Sequence, residues 1–163
     1  MSIESAIVET LNGFPPNAVV VAVAMFPIVE LRGAIPLALL NYGMSPVEAY
    51  ALSVFGNLLP VLPLLLFLEP VEKFLRRSSI FDKFFDWLFS RTRKNAEKNI
   101  QKYGALGLAV FVAVPLPATG AWTGAAAAYI FGIEHRYSFP AIASGVLAAG
   151  VIVTLASLGM LKI

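Results

Sequence analysis

The sequence predicts an all-α integral membrane protein, an inverted repeat of a re-entrant helical hairpin plus a transmembrane helix, with an interfacial amphipathic linker helix between the halves. Three observations lead there. The 163 residues are 58% hydrophobic and 13% charged, against roughly 45–50% and about 25% in soluble domains, and mean hydropathy is +0.78. Two segments of crossing length carry no charge at all. Two other apolar stretches are too short to cross, and each ends in a cluster of proline and glycine.

The elements follow in chain order. The first 17 residues hold Glu4 and Glu9 but no Lys or Arg, so the basic start of a secretory signal is missing and the apolar run after them is expected to remain in the protein. Ile3, Ile7 and Leu11 recur at helical spacing before Gly13, Pro15 and Pro16, which predicts a short helix lying on the membrane surface. Ala18 to Val29 is a 12-residue apolar run, a length more typical of a re-entrant or buried helix than of a crossing. A breaker around Pro27, Gly33 and Pro36 and a second arm, Gly33 to Leu40, complete a hairpin that dips into the bilayer and returns to a turn at Asn41 to Pro46. Ala49 to Leu68 then gives 20 uncharged residues, the ~20 needed to cross the hydrocarbon. Gly56, Asn57, Pro60 and Pro63 interrupt its helical bonding and predict a kink.

Glu69 to Lys102 is different material, with nine basic residues against five acidic. Phe81, Phe84, Phe85 and Leu88 fall at i, i+3, i+4 and i+7, so a helix here presents one aromatic stripe with charges toward water, an interfacial helix on the cytoplasmic face. Basic residues interleaved with acids and tethered between membrane segments suit anionic lipid headgroups better than nucleic acid. The second half repeats the plan: Gly104 to Pro117, 14 residues closing on Pro115 and Pro117; a second arm from Gly120 to Ile133; a turn from Glu134 to Tyr137; and Ser138 to Leu161, 24 residues without a charge.

The halves resemble each other at an offset of about 89: Phe55-Gly56 falls on Ser144-Gly145, Gly43 on Gly132, and the Pro27 region on the Pro115 region. Internal repeats are a common ground plan of small transporters. The expectation is a single membrane domain, half 1 over about 17–68, the linker over about 69–102 and half 2 over about 103–163. One hairpin plus one crossing makes an odd number of crossings per half, and a linker confined to one side then inverts the halves. Counting Lys and Arg does not separate hairpins from full crossings; hydrophobic length and the midway breakers favour hairpins. That puts the linker in the cytoplasm and Ile163 on the outer face of a plasma or inner membrane, in a multi-pass chain.

Chemistry is scarce. There is no cysteine, hence no disulfide or thiolate site; the aspartates Asp82 and Asp86 lie in the linker, the only histidine, His135, sits in an interfacial turn, and no phosphate-binding loop is present. No enzyme, metal or cofactor is expected. Glu30 and Arg32 are the exception, standing alone within the apolar blocks at the first breaker. A charge at bilayer depth costs about 2.5–3.5 kcal/mol on insertion scales, so such residues are kept by pairing, protonation or use. They form the expected substrate or ion site, with the alternative that they neutralise each other and hold the hairpin tip. Desolvation and the Arg32 guanidinium would act on the Glu30 proton in opposite senses, leaving it poised to titrate.

In the second breaker Thr119, Trp122 and Thr123 offer hydrogen bonds to the same site, with packing the equal alternative for Thr119 and Trp122. Gly120 and Gly124, continued by Ala128, read as a small-residue helix contact. Asn57 either bonds the first hairpin tip or satisfies carbonyls freed by Pro60.

At Glu30-Leu-Arg-Gly-Ala-Ile-Pro36 and at Pro115-Leu-Pro-Ala-Thr-Gly-Ala-Trp-Thr-Gly-Ala125, over nearly the whole chain, the sequence resembles the small multidrug export protein family, which is similar in turn to the DedA (VTT) superfamily. The resemblance implies two re-entrant hairpins that meet, lipid or drug transport linked to proton motive force, and Glu30 as the acidic residue of the first hairpin motif. One departure stands out: DedA-like proteins carry arginines in the second motif, where this chain has Thr119 and Trp122 and places Arg32 in the first.

The expected function is a small secondary transporter or exporter of a lipid-like or amphipathic molecule, proton-coupled through Glu30. The alternative is a non-transporting membrane scaffold or assembly factor. Partners are the lipid bilayer and, because two crossing helices make a thin bundle, a second copy in a homodimer.

Overall fold

A computed structural model of the chain describes residues 13–116 and 119–161. The surface helix expected over Ile3 to Leu11, the breaker Pro117 and the terminal Ile163 lie outside that range. Every regular element among the described residues is helical.

Helix α1, Pro16–Met25, starts with proline in its first turn, where the missing N–H is not needed. It stops because Phe26, ahead of Pro27, is extended, φ −73° and ψ 132°, as a residue before proline prefers. The break is therefore Phe26 to Val29, and Glu30–Pro36 is already helix α2. Gly33 and Pro36, two of the three breaker residues named from the sequence, lie within that helix. Pro36 cannot donate to the turn before it, and the helix widens into a π turn, Leu37–Asn41, in which Tyr42 N–H reaches Leu37 O at 3.3 Å.

Helix α3, Pro46–Leu58, is capped by Ser45, whose Oγ accepts from Glu48 N–H at 3.3 Å, an arrangement that satisfies one orphan donor of the first turn. Helix α4, Val61–Leu75, follows after a break at Leu59 and Pro60, the expected kink. Glu69 to Leu75 thus continues α4, and the linker helix proper is α5, Ser79–Tyr103. Helices α6, Ala105–Ala113, α7, Ala121–Ile130, and α8, His135–Leu161, complete the chain. Among the described residues two stretches are long and apolar enough to cross a membrane, Pro46–Leu75 and His135–Met160. Both expose large apolar side chains, Leu62, Leu66 and Phe67 on one and Leu147, Val151 and Leu155 on the other.

The chain packs as two units. One comprises the described residues up to Leu59 with those from Val146, the other Pro60–Gly145. In the first, α1 lies against α3 at Gly56, where an added Cβ would sit 2.5 Å from Val21 O and 2.9 Å from Ala24 Cβ. The later part of α8 meets α3 at Gly150, against the Tyr50 ring, and Tyr50 Oη donates to Leu147 O at 3.2 Å. In the second unit the earlier part of α8 meets α6 at Gly145, where a Cβ would come 2.7 Å from Ala109 O and from Val112 Cβ. The contact at Gly145 has the same form as that at Gly56: a glycine in the long helix touching backbone oxygen of the preceding hairpin's first arm. Gly43 and Gly132, each after a second arm, share left-handed backbone with φ +61° and +64°.

The aromatic stripe of α5 is not one face. Phe85 is 5% exposed whereas Phe81 and Phe84 are 44% and 49% exposed. Phe85, Thr92 and Ile100 are buried where α5 packs on α6 and α7. That contact turns Phe81, Phe84 and Trp87 outward.

Candidate functional site

Glu30 opens α2 and is the one non-glycine residue with positive φ among the described residues, at +49°. A side chain in that conformation costs about 1–2 kcal/mol because Cβ crowds the following carbonyl. The backbone is pinned on both sides: Glu30 N–H donates to Phe26 O at 2.9 Å, and Gly33 N–H to Val29 O at 3.2 Å. The side chain is also buried, 4% exposed. In the second unit the residue before α7, Gly120, likewise has positive φ, +140°, and Gly124 N–H closes on its carbonyl at 2.8 Å. Its ψ of −166° places Gly120 in an extended positive-φ region that only glycine adopts freely. The two units differ here: Glu30, φ +49°, is the first residue of α2, whereas Gly120, φ +140° and ψ −166°, is the residue ahead of α7.

Arg32 is the third residue of α2, half-buried and within electrostatic reach of Glu30. Gly33 sits between the charged pair and Pro36, half-buried. Asn57, on α3 of the same unit, is 1% exposed, and neither its Oδ1 nor its Nδ2 has a hydrogen-bond partner. Ser53, one turn earlier and 0% exposed, is in the same state. Sequence reasoning passed over Ser53; the signal was a second polar residue four before Asn57 in a charge-free run.

The second breaker behaves differently. Thr119 Oγ1 lies 2.6 Å from Val114 O and 2.7 Å from Leu116 O and accepts from Leu116 N–H at 3.1 Å. That hydroxyl ties the loop after Pro115 to itself. Thr123 Oγ1 reaches Gly120 O at 3.3 Å, and Trp122 is half-buried. Gly124 is a packing residue, since a Cβ would meet Val112 Cγ2 at 2.6 Å and Ile142 Cγ1 at 3.4 Å. Glu30, Arg32, Ser53 and Asn57 belong to the first unit, and Thr119, Trp122 and Thr123 to the second.

A polar cluster, ordinary linker charge by its sequence alone, stands in the second unit. Arg76 pairs with Glu72, and its Nη1 donates to Asp82 at 2.6 Å and Asp86 at 2.8 Å. Its guanidinium also lies 5.8 Å from the Phe85 ring centre and 5.6 Å from that of Phe89. Asp86, Glu72 and Asp82 together hold the Arg76 proton more tightly than usual. Tyr129 of α7 donates to Glu72 Oε2 at 3.1 Å. The cluster clamps α4, α5 and α7 to one another. Among the described residues no group of three or more His, Asp or Glu is placed to hold a metal ion.

Residues 30–152 match the model of the family described as "Putative small multi-drug export protein". The chain belongs to the small multi-drug export family. No curated protein and no solved structure matches it. The matched span opens at Glu30 and runs through both long helices as far as Ile152 in α8. With two helices of crossing length that expose apolar side chains, this small multi-drug export chain is a membrane protein whose family description is that of an exporter.

Proposed function

We propose that the protein is a secondary transporter that exports small amphipathic or lipid-like molecules, with proton movement coupled through Glu30 and Arg32 as its charge partner. The observation that carries this reading is Glu30 itself, buried at 4% exposure in a left-handed backbone conformation. Such a residue bears two costs, strain of about 1–3 kcal/mol and desolvation of an ionisable group. A purely structural tip has a cheaper solution in glycine, which takes positive φ without that strain. Ionisable groups at membrane depth mark ion and substrate paths, and strained residues cluster at such sites.

The proposed architecture is an inverted repeat of two re-entrant hairpins, each followed by one crossing. The matched glycine contacts at Gly56 and Gly145 and the matched turns at Gly43 and Gly132 support it. Helix α5 lies along the cytoplasmic headgroups, with Phe81, Phe84 and Trp87 exposed and Arg91 stacked 5.4 Å from the Trp87 ring. Two copies form the working unit.

The test is purified protein in liposomes under an imposed pH gradient. Adding ethidium, a small amphipathic cation, to protein-containing vesicles is expected to discharge the gradient faster than in protein-free vesicles. Equal rates across a panel of amphipathic cations and lipid analogues would reduce the chain to a non-transporting scaffold.

A further inference from the structure

Among the described residues of the first unit, three buried side-chain atoms have no hydrogen-bond partner: Ser53 Oγ, Asn57 Oδ1 and Asn57 Nδ2. They sit one helical turn apart on α3 and are sealed from the surface, at 0% and 1% exposure. Buried polar groups in folded proteins are overwhelmingly hydrogen-bonded, and the exceptions call for a water, an ion or a function. The chain has an easy remedy that it uses elsewhere: a buried hydroxyl in a helix can donate to a carbonyl of the preceding turn. Ser138, Thr154 and Ser157 all do so, Ser157 reaching Val153 O at 2.8 Å. Ser53 does not. Nor can lipid or a second copy of the chain supply the missing bonds, because neither reaches a fully buried atom. What remains is something small that enters the unit.

We infer that Ser53 and Asn57 form a hydrogen-bonding site for a small neutral polar group that both donates and accepts. A water molecule fits this description, and so does the hydroxyl or amide of a cargo molecule. The chemistry follows from the atoms: an amide oxygen that only accepts, an amide nitrogen that only donates and a hydroxyl that does either. None carries a charge, and together they match a partner with both functions. The site goes beyond the reading of Glu30 as a proton carrier and does not require Glu30 to titrate.

The protein has no cysteine, so single-cysteine variants of the full chain report on one position each. Ser53→Cys is close to isosteric. In proteoliposomes, a small water-soluble methanethiosulfonate reagent is expected to modify it at least tenfold faster than Ser157→Cys, whose parent serine is equally buried but bonded. Protection of Ser53→Cys by added ethidium would assign the site to cargo, and lack of protection would assign it to water. A second variant keeps the idea testable should the cysteine perturb packing. Asn57→Leu replaces unpaired amide atoms by an apolar group of similar size, a change that is neutral or stabilising when the atoms had no protein partner. Its melting temperature is expected to stay level or rise by about 2–4 °C, the scale for a chain of this size. Equal inertness of both cysteines, or an Asn57→Leu protein that melts several degrees early, would overturn the site and return these atoms to the packed core. If Ser53→Cys is modified as expected while Glu30→Gln transports like wild type, the site stands and the Glu30 reading falls. The reverse pair of results would separate them the other way.

Discussion

At the scale of single residues, Glu30 was legible as an intruder in an apolar run, but its backbone was not. Positive φ at a glutamate has no signature in composition or spacing, since it arises from the chain on either side, held at Phe26 and Val29. The strain has a measurable consequence. Glu30→Ala keeps the strained backbone and Glu30→Gly relieves it, while both remove the buried side chain beyond Cβ. Glycine relieves about 1–2 kcal/mol of left-handed strain and loses about 0.5–1 kcal/mol to its greater freedom in the unfolded chain. Glu30→Gly is therefore expected to be more stable than Glu30→Ala, and denaturant titration of the two in detergent checks it. Arg32→Ala should damage folding more than Glu30→Gln, because it leaves a buried carboxylate without its cation. The cost should fall between the about 0–1 kcal/mol of an exposed pair and the about 3–5 kcal/mol of a buried one, as Arg32 is half-buried. The unpartnered state of Ser53 and Asn57 was beyond sequence reading for a similar reason: it depends on what the rest of the unit fails to offer.

Elements were more legible than residues. Charge-free length found both crossing-length helices, and Pro60 marked the break between α3 and α4. What length and periodicity could not supply was which side of α5 is covered. Four apolar positions at helical spacing describe a face, but of the four Phe85 is the buried one, in line with Thr92 and Ile100, and α5 packs on α6 and α7. The clamp around Arg76 was hidden likewise, because its carboxylates are spread from Glu72 to Asp86. The glycine contacts are the sharpest test at this scale. Gly56→Ala and Gly145→Ala each push a methyl into backbone oxygen at 2.5 Å and 2.7 Å, and overpacking of this kind costs about 1–3 kcal/mol. Gly159→Ala, with nothing within 4 Å, should be neutral or slightly stabilising, since alanine favours the helix. Thermal melts of the three variants rank them. A harmless Gly145→Ala beside a damaging Gly56→Ala would break the likeness between the halves.

For the whole molecule, the proposed topology sets His135 against Asn41. Re-entrant hairpins put Asn41 outside and His135 inside, whereas full crossings put both outside. Both residues are exposed, so Asn41→Cys is expected to label from outside in intact cells and His135→Cys only after permeabilisation. External labelling of both would replace the hairpins by crossings. Composition settled the membrane class early because no soluble chain of this size hides 58% apolar residues, and the two breaker motifs carried the family. The cargo is not written in either motif. The measurement closest to the central claim is Glu30→Gln in two assays on one preparation, melting and pH-driven flux in liposomes. The account predicts a melting temperature within about 2 °C of wild type, well under the shift from losing one buried interaction, together with loss of pH-driven flux. A variant that melts early, or one that transports as fast as wild type, would make Glu30 a structural partner and end the proton-coupling account.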